Sequence, residues 1–139
     1  MSESQKITVA VIVQAPVEQV WQCFTEPKHI MAWNNASSDW HTPRAENDLR
    51  VGGKFVYRME ARDGSVGFDF GGIYDDVAQY KRIAYTMGDG RKVDVTFEPE
   101  GDGTRLTELF EAENQNSIEM QQNGWQAILD NFKKYTEAV

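Results

Sequence analysis

The C-terminal stretch, Ser117 to Val139, constrains the rest of the chain most. Its apolar residues fall at Ile118, Trp125, Ile128, Leu129, Phe132 and Tyr135. That spacing follows one stripe of a 3.6-residue period and predicts a long amphipathic helix. Asn116 is placed to cap it, with Glu119 three residues on completing a variant capping box and meeting the positive end of the helix dipole. Lys133 and Lys134 sit near the other end, where cations are favoured. Such a helix would be about 30 Å long, close to the width of a small domain. A helix of that length with an aromatic stripe needs a broad apolar surface to lie on, and the preceding residues must supply it.

Taken in order, those residues read mostly as strands. Lys6 to Gln14 contains the β-branched run I-T-V-A-V-I-V, of strand length. Ala15-Pro16 ends it, and Pro16 suits the first position of a helix. Val17, Val20, Trp21 and Phe24 follow at helical spacing, and Ile30, Met31 and Trp33 predict a second short helix after Pro27. Asn34 to Asn47 is polar, contains Pro43, and reads as a long loop of the kind that serves as a lid. It carries Trp40, a residue that a plain solvent loop does not need. From Leu49 the period changes to two. Phe55, Tyr57 and Met59 alternate with polar neighbours, Asp63-Gly64 is a hairpin turn, and Phe68, Phe70 and Tyr74 continue on the next strand. Gly71-Gly72 marks a bend or bulge there. Tyr80 to Met87, the Val93, Val95, Phe97 alternation, and Arg105 to Glu113 complete five consecutive antiparallel strands. The order is one strand, two short helices, five strands and a long helix: an α+β domain with a six-stranded sheet.

The length of 139 residues fits one domain spanning 1–139. Acidic residues exceed basic ones by 22 to 14, a net charge of -8. Lys and Arg are scattered, and a nucleic-acid partner is not expected, because phosphate neutralisation needs a basic patch. No apolar run reaches the length of a membrane span. Met1 to Lys6 is polar with no signal peptide in view, so the expected location is cytoplasmic. Cys23 is the single cysteine, which leaves no internal disulfide; it reads as a small residue on a helix flank rather than a reactive thiol.

Several strings resemble one family: A-P-V-E-Q-V-W-Q-C-F-T-E-P at 15–27, I-M-A-W at 30–33, D-L-R-V-G-G-K-F at 48–55, G-G-I-Y-D-D-V at 71–77, R-I-A-Y at 82–85, F-E-P-E-G-D-G-T-R-L-T at 97–107 and N-G-W-Q-A-I-L-D-N-F at 123–132. Together they resemble the family named after the activator of the heat-shock-protein-90 ATPase. It lies within the helix-grip superfamily of START (SRPBCC) lipid-transfer domains, polyketide cyclases and the birch-pollen allergen. The resemblance implies a helix-grip fold, β-α-α-β-β-β-β-β-α, in which a curved antiparallel sheet wraps the C-terminal helix with the first strand beside the last. It implies an apolar cavity between helix and sheet. Members include ligand carriers, cyclases and chaperone regulators. The expected function is therefore binding of an apolar or aromatic small molecule, without a cofactor. A cyclase- or dehydratase-type enzyme and a chaperone-regulating interaction module, tied to stress response, are the alternatives. The expected assembly is a monomer or weak dimer.

On that fold the residues expected to line the cavity are Trp33, Phe55, Tyr57, Phe68, Phe70, Tyr85, Phe97, Glu108, Phe110, Trp125, Ile128 and Leu129. The same rings could equally fill a plain core, since aromatics dominate core burial. Gly124 beside Trp125 asks for a reason, packing being the commoner one and room beside a ligand the other. Glu108 shares a face with Leu106 and Phe110. A carboxylate there finds a partner, such as Tyr57 or Tyr85, or its pKa rises and it can act as a general acid or base. The favoured expectation is plainer: Glu108 reaches water at the sheet end, or pairs with Arg58 or Arg105. No metal is expected, because His29, His41 and Asp39 lack ligand spacing. Ser37, Ser38, Asp39 and His41 crowd one loop without the separated roles of a triad. The glycine pairs at 52–53 and 71–72 precede no helix and are not phosphate loops.

Overall fold

A computed structural model describes residues 5–139; of the polar N-terminal stretch, residues 1–4 lie outside the described part. The elements are β1 (Lys6–Val13), α1 (Val17–Thr25), α2 (Pro27–Trp33), β2 (Trp40–Asn47), β3 (Lys54–Ala61), β4 (Gly67–Ala78), β5 (Arg82–Met87), β6 (Lys92–Glu100), β7 (Gly103–Glu111) and α3 (Ile118–Ala138). The strands form one antiparallel sheet in the order β1-β7-β6-β5-β4-β3-β2. The first strand therefore lies beside the last, as the helix-grip fold requires.

The sheet has seven strands, one more than the sequence reading gives. The extra strand is β2, inside the stretch expected to be a loop or lid. Period and composition hide it for a physical reason. It is an edge strand, so Pro43 is tolerated, and the register breaks between His41 and Arg44 where the proline sits. Polar bonds rather than apolar side chains hold it down. Thr42 Oγ1 donates to the Asn34 carbonyl at 2.6 Å, and Asn47 Nδ2 donates to the Thr25 carbonyl at 2.7 Å. Trp40 packs its ring against Phe68 of β4.

Alternation along the strands puts one apolar row inside. Ile7, Val9, Val11 and Val13 are buried on β1, and Val93, Val95 and Phe97 on β6. The strands approach closely at Gly71 and Gly72, where a β-carbon would collide with the carbonyl oxygens of Phe55 and Thr86 on the flanking strands. A register shift between Tyr74 and Asp76 bends the strand.

Helix α3 lies across the concave face along β1. Its cap is Ser117, not Asn116: the Met120 N–H donates to Ser117 Oγ at 3.0 Å, while the Asn116 N–H donates to the Glu113 side chain. Lys133 serves the sheet rather than the helix terminus, donating to the Ile12 carbonyl at 2.7 Å. Gln126 reaches the Ala10 carbonyl and Asn131 the Trp33 carbonyl, so polar side chains fix the helix at both flanks. Leu129 and Phe132 are its fully buried residues on the apolar stripe. No helix among the described residues is long and apolar enough to cross a membrane.

Candidate functional site

Two groups of aromatic rings face each other inside the sheet. At one end α1 and α2 bring Phe24 and Trp33 into a stack with centroids 5.5 Å apart, and Phe132 of α3 meets both edge-on. Trp33 is oriented by its indole N–H, which donates to the Cys23 carbonyl at 2.8 Å. At the other end Phe55 touches Tyr57, Tyr74 and Tyr85 at 4.8–5.2 Å between centroids. Trp125 of α3 closes that side, stacked flat on Phe110 at 3.8 Å.

Between the two groups lies a cavity of about 280 Å³. Strands β3, β4 and β5 supply one wall through Phe55, Tyr57, Met59, Phe70, Tyr74, Ile83 and Tyr85, and α3 supplies the other through Trp125 and Ile128. Thr25 and Asn34, at the ends of α1 and α2, line it beside Phe24 and Trp33. Phe68, half exposed, stands at the edge, and Arg91 lines the cavity from the turn before β6. An apolar hollow with a few polar groups is the usual make-up of a small-molecule site.

Glu108 is the acidic group in this lining. It stands in a cross-strand row between Val9 of β1 and Val95 of β6, both fully buried. Its own exposure is 9%. The expected pairing with Arg58 or Arg105 does not occur, nor does the carboxyl reach the water at the sheet end. Arg58 is bound to Glu60 at 2.8 Å and Arg105 to Glu100 at 3.0 Å, both outside. Burial without a compensating partner pushes the Glu108 pKa up to about 8. Tyr85 lines the same cavity; burial, reinforced by the Glu108 charge, raises the phenol well above its ordinary value. Burial likewise takes Tyr74 up to about 12, and its hydroxyl donates to Asn47 Oδ1. All three groups are neutral at pH 7. Arg91 is held by Asp89 at 2.7 Å and by the Glu111 carbonyl at 3.2 Å, so its charge is spoken for.

A family model described as Activator of Hsp90 ATPase homolog 1-like protein matches residues 14–137. The chain belongs to that family. The solution structure of the AHSA1-like protein from Aeromonas hydrophila is similar at 47% identity and a TM-score of 0.91, covering 96% of this chain and 93% of that one. A protein from Cytophaga hutchinsonii is 54% identical with a TM-score of 0.84, over 96% and 92% of the two chains. A Nitrosomonas europaea protein at 19% identity and a TM-score of 0.82, over 99% and 97%, shares the fold alone. Comparison with functionally curated proteins finds no match.

In this member of the Activator of Hsp90 ATPase homolog 1-like family, the expected cavity residues divide into two sets. Trp33, Phe55, Tyr57, Phe68, Phe70, Tyr85, Glu108, Trp125 and Ile128 come together around the hollow. Phe97, Phe110 and Leu129 do not line it. Phe97 packs on Trp21 and Phe24, Phe110 lies beneath Trp125, and Leu129 is sealed in the core. Phe24, Thr25, Asn34, Met59, Tyr74, Ile83 and Arg91 line it without having been foreseen. For Tyr74, Met59 and Ile83 the strand alternation carried the signal. For Thr25, Asn34 and Arg91, which sit at element ends, nothing in the local pattern did.

Gly124 is not a packing glycine, since a β-carbon there meets nothing within 4 Å. Cys23 is buried, and burial raises its thiol pKa, which leaves it inert. His29 Nδ1 lies 2.6 Å from the Tyr135 hydroxyl, locking α2 to α3.

Proposed function

We propose that this domain binds a small apolar or aromatic molecule in the cavity between the sheet and α3. The observation that carries the reading is the aromatic hollow itself: a core filled by its own rings would leave no such space, and interiors are ordinarily close-packed. Its volume of about 280 Å³ suits a ligand of one or two rings better than a sterol or a long acyl chain. Apart from half-exposed Phe68, the lining rings face inward, which favours ligand binding over a chaperone-contact surface.

Blocking the hollow tests this. Ile128→Trp should keep the circular-dichroism spectrum and lower the affinity for naphthalene by more than about tenfold, measured by tryptophan fluorescence. Equal binding by the blocked and unblocked proteins would overturn the proposal.

The raised proton affinity of Glu108 supports a second reading, acid–base chemistry of the cyclase or dehydratase kind, with the neutral carboxylic acid as proton donor. Its signature is turnover of a bound compound that is lost in Glu108→Gln.

A further inference from the structure

We propose that the cavity selects ligands that carry a protonated amine on an aromatic body, with the ammonium group seated against Glu108. The inference rests on the ligand-binding reading above and deepens it by naming the ligand class.

Several observations converge. Glu108 lines the cavity, is nine-tenths buried, and its carboxyl has no hydrogen-bond or ionic partner among the described residues. A buried polar group in that state is costly, and a ligand that supplies the missing partner recovers the cost. The Tyr85 hydroxyl, which lines the same cavity two strands away and feels the Glu108 charge, is likewise without a partner and offers an acceptor oxygen to a second N–H. Among the described residues, the one cation in the lining is Arg91, whose charge reaches Tyr85 but is paired with Asp89. Val9 and Val95 flank Glu108 on the sheet, and α3 contributes Trp125 and Ile128 from across the hollow. Tyr57 and Tyr74 are neutral, and the Arg91 guanidinium is already neutralised by Asp89.

The remaining lining is mostly ring faces, whose negative quadrupoles attract an ammonium in a desolvated site. An ammonium donates up to three hydrogen bonds, which a carboxylate and a phenol oxygen can share. The net charge of -8 raises the local concentration of cations and repels acids. A neutral ligand would leave Glu108 unpaired or rely on a single bond from its carboxylic acid, and a carboxylate ligand would lose its hydration in an apolar hollow whose lining cation, Arg91, is already paired with Asp89.

The test uses the full chain and four compounds of one shape: phenethylamine, phenethyl alcohol, propylbenzene and phenylpropanoate. Affinities are read by calorimetry at pH 7. The amine is expected to bind at least about tenfold more tightly than the alcohol or the hydrocarbon, and phenylpropanoate weakest. Because Glu108 is protonated in the empty site, pairing with an ammonium should expel that proton to solvent. The amine, but not the alcohol, then releases protons when titrated in two buffers of different ionisation enthalpy. In Glu108→Gln the amine-to-alcohol ratio should collapse to about one.

If propylbenzene binds while the amine shows neither preference nor proton release, the amine selectivity is wrong and the ligand-binding reading survives. A preference that persists in Glu108→Gln also overturns the proposal. If no member of the series binds, both readings fail. Should the variant not fold, the wild-type selectivity ratio and proton count still decide.

Discussion

Glu108 carries an unusual proton equilibrium, and its sign can be followed into stability. Unfolded, its carboxyl titrates near the ordinary 4.5; folded, near 8. The native state therefore holds the proton more tightly, and this contribution to stability is fully present below about pH 4.5 and lost as pH rises through about 8. Glu60, Glu100 and Glu137 act the other way: bonds to Arg58, Arg105 and Lys133 lower their pKa values, so what they contribute is lost only in acid. Above the ordinary carboxylate range the two effects separate. Glu108→Gln should flatten the fall in stability between about pH 5 and 8, and at the alkaline end exceed wild type by more than about 1 kcal/mol in urea unfolding. A variant that is less stable than wild type above pH 8 would mean that Glu108 has a partner after all. The sequence placed this residue on the inner face correctly through alternation with Leu106 and Phe110. The same alternation turns Arg58 and Arg105 to the outer face, where Glu60 on the same strand and Glu100 across the hairpin engage them, so neither is free to reach Glu108.

At the scale of elements, α3 was legible because burial imposes a period of 3.6, and Ile118, Trp125, Ile128, Leu129, Phe132 and Tyr135 hold it over five turns of sequence. The strand β2 was illegible for the converse reason. Its inward groups, Thr42 and Asn47, are polar and bonded to the chain around α1 and α2, so no apolar alternation records their burial. The cap shifted by one residue because Asn116 and Ser117 are both good cap formers, and the Met120 N–H chose the second. Gly124 yields a prediction at this scale. Its backbone is helical and the space at its β-carbon is open, so Gly124→Ala removes unfolded-state freedom without a clash. The urea midpoint should rise, corresponding to about 0.5–1 kcal/mol. A fall would show that the open space is needed by something that packs there.

Across the whole molecule, the fold separates two tasks that one aromatic-rich core could have merged. Phe110, Phe97 and Leu129 were expected beside the hollow and instead support it. Phe110 backs Trp125, Phe97 joins the helices to the sheet, and Leu129 seals the helix against it. Facing the concave side is necessary for lining a cavity, but what packs over a ring decides whether it fills space or borders it: Trp125 covers Phe110, and Trp21 and Phe24 cover Phe97. The close strand approach at Gly71 and Gly72 and the bulge before Asp76 bend the sheet. On the ligand-binding reading, the space between this bent sheet and α3 admits a ligand. A titration of methyl-labelled protein with propylbenzene, followed by NMR, decides it. Saturable shifts at the methyls of Met59, Ile83 and Ile128 and at the Trp125 indole, with Val11 and Val13 of β1 unmoved, are the predicted result. Cavity methyls that stay still up to the solubility limit, or shifts confined to outer residues such as Val51 and Leu109, would contradict it.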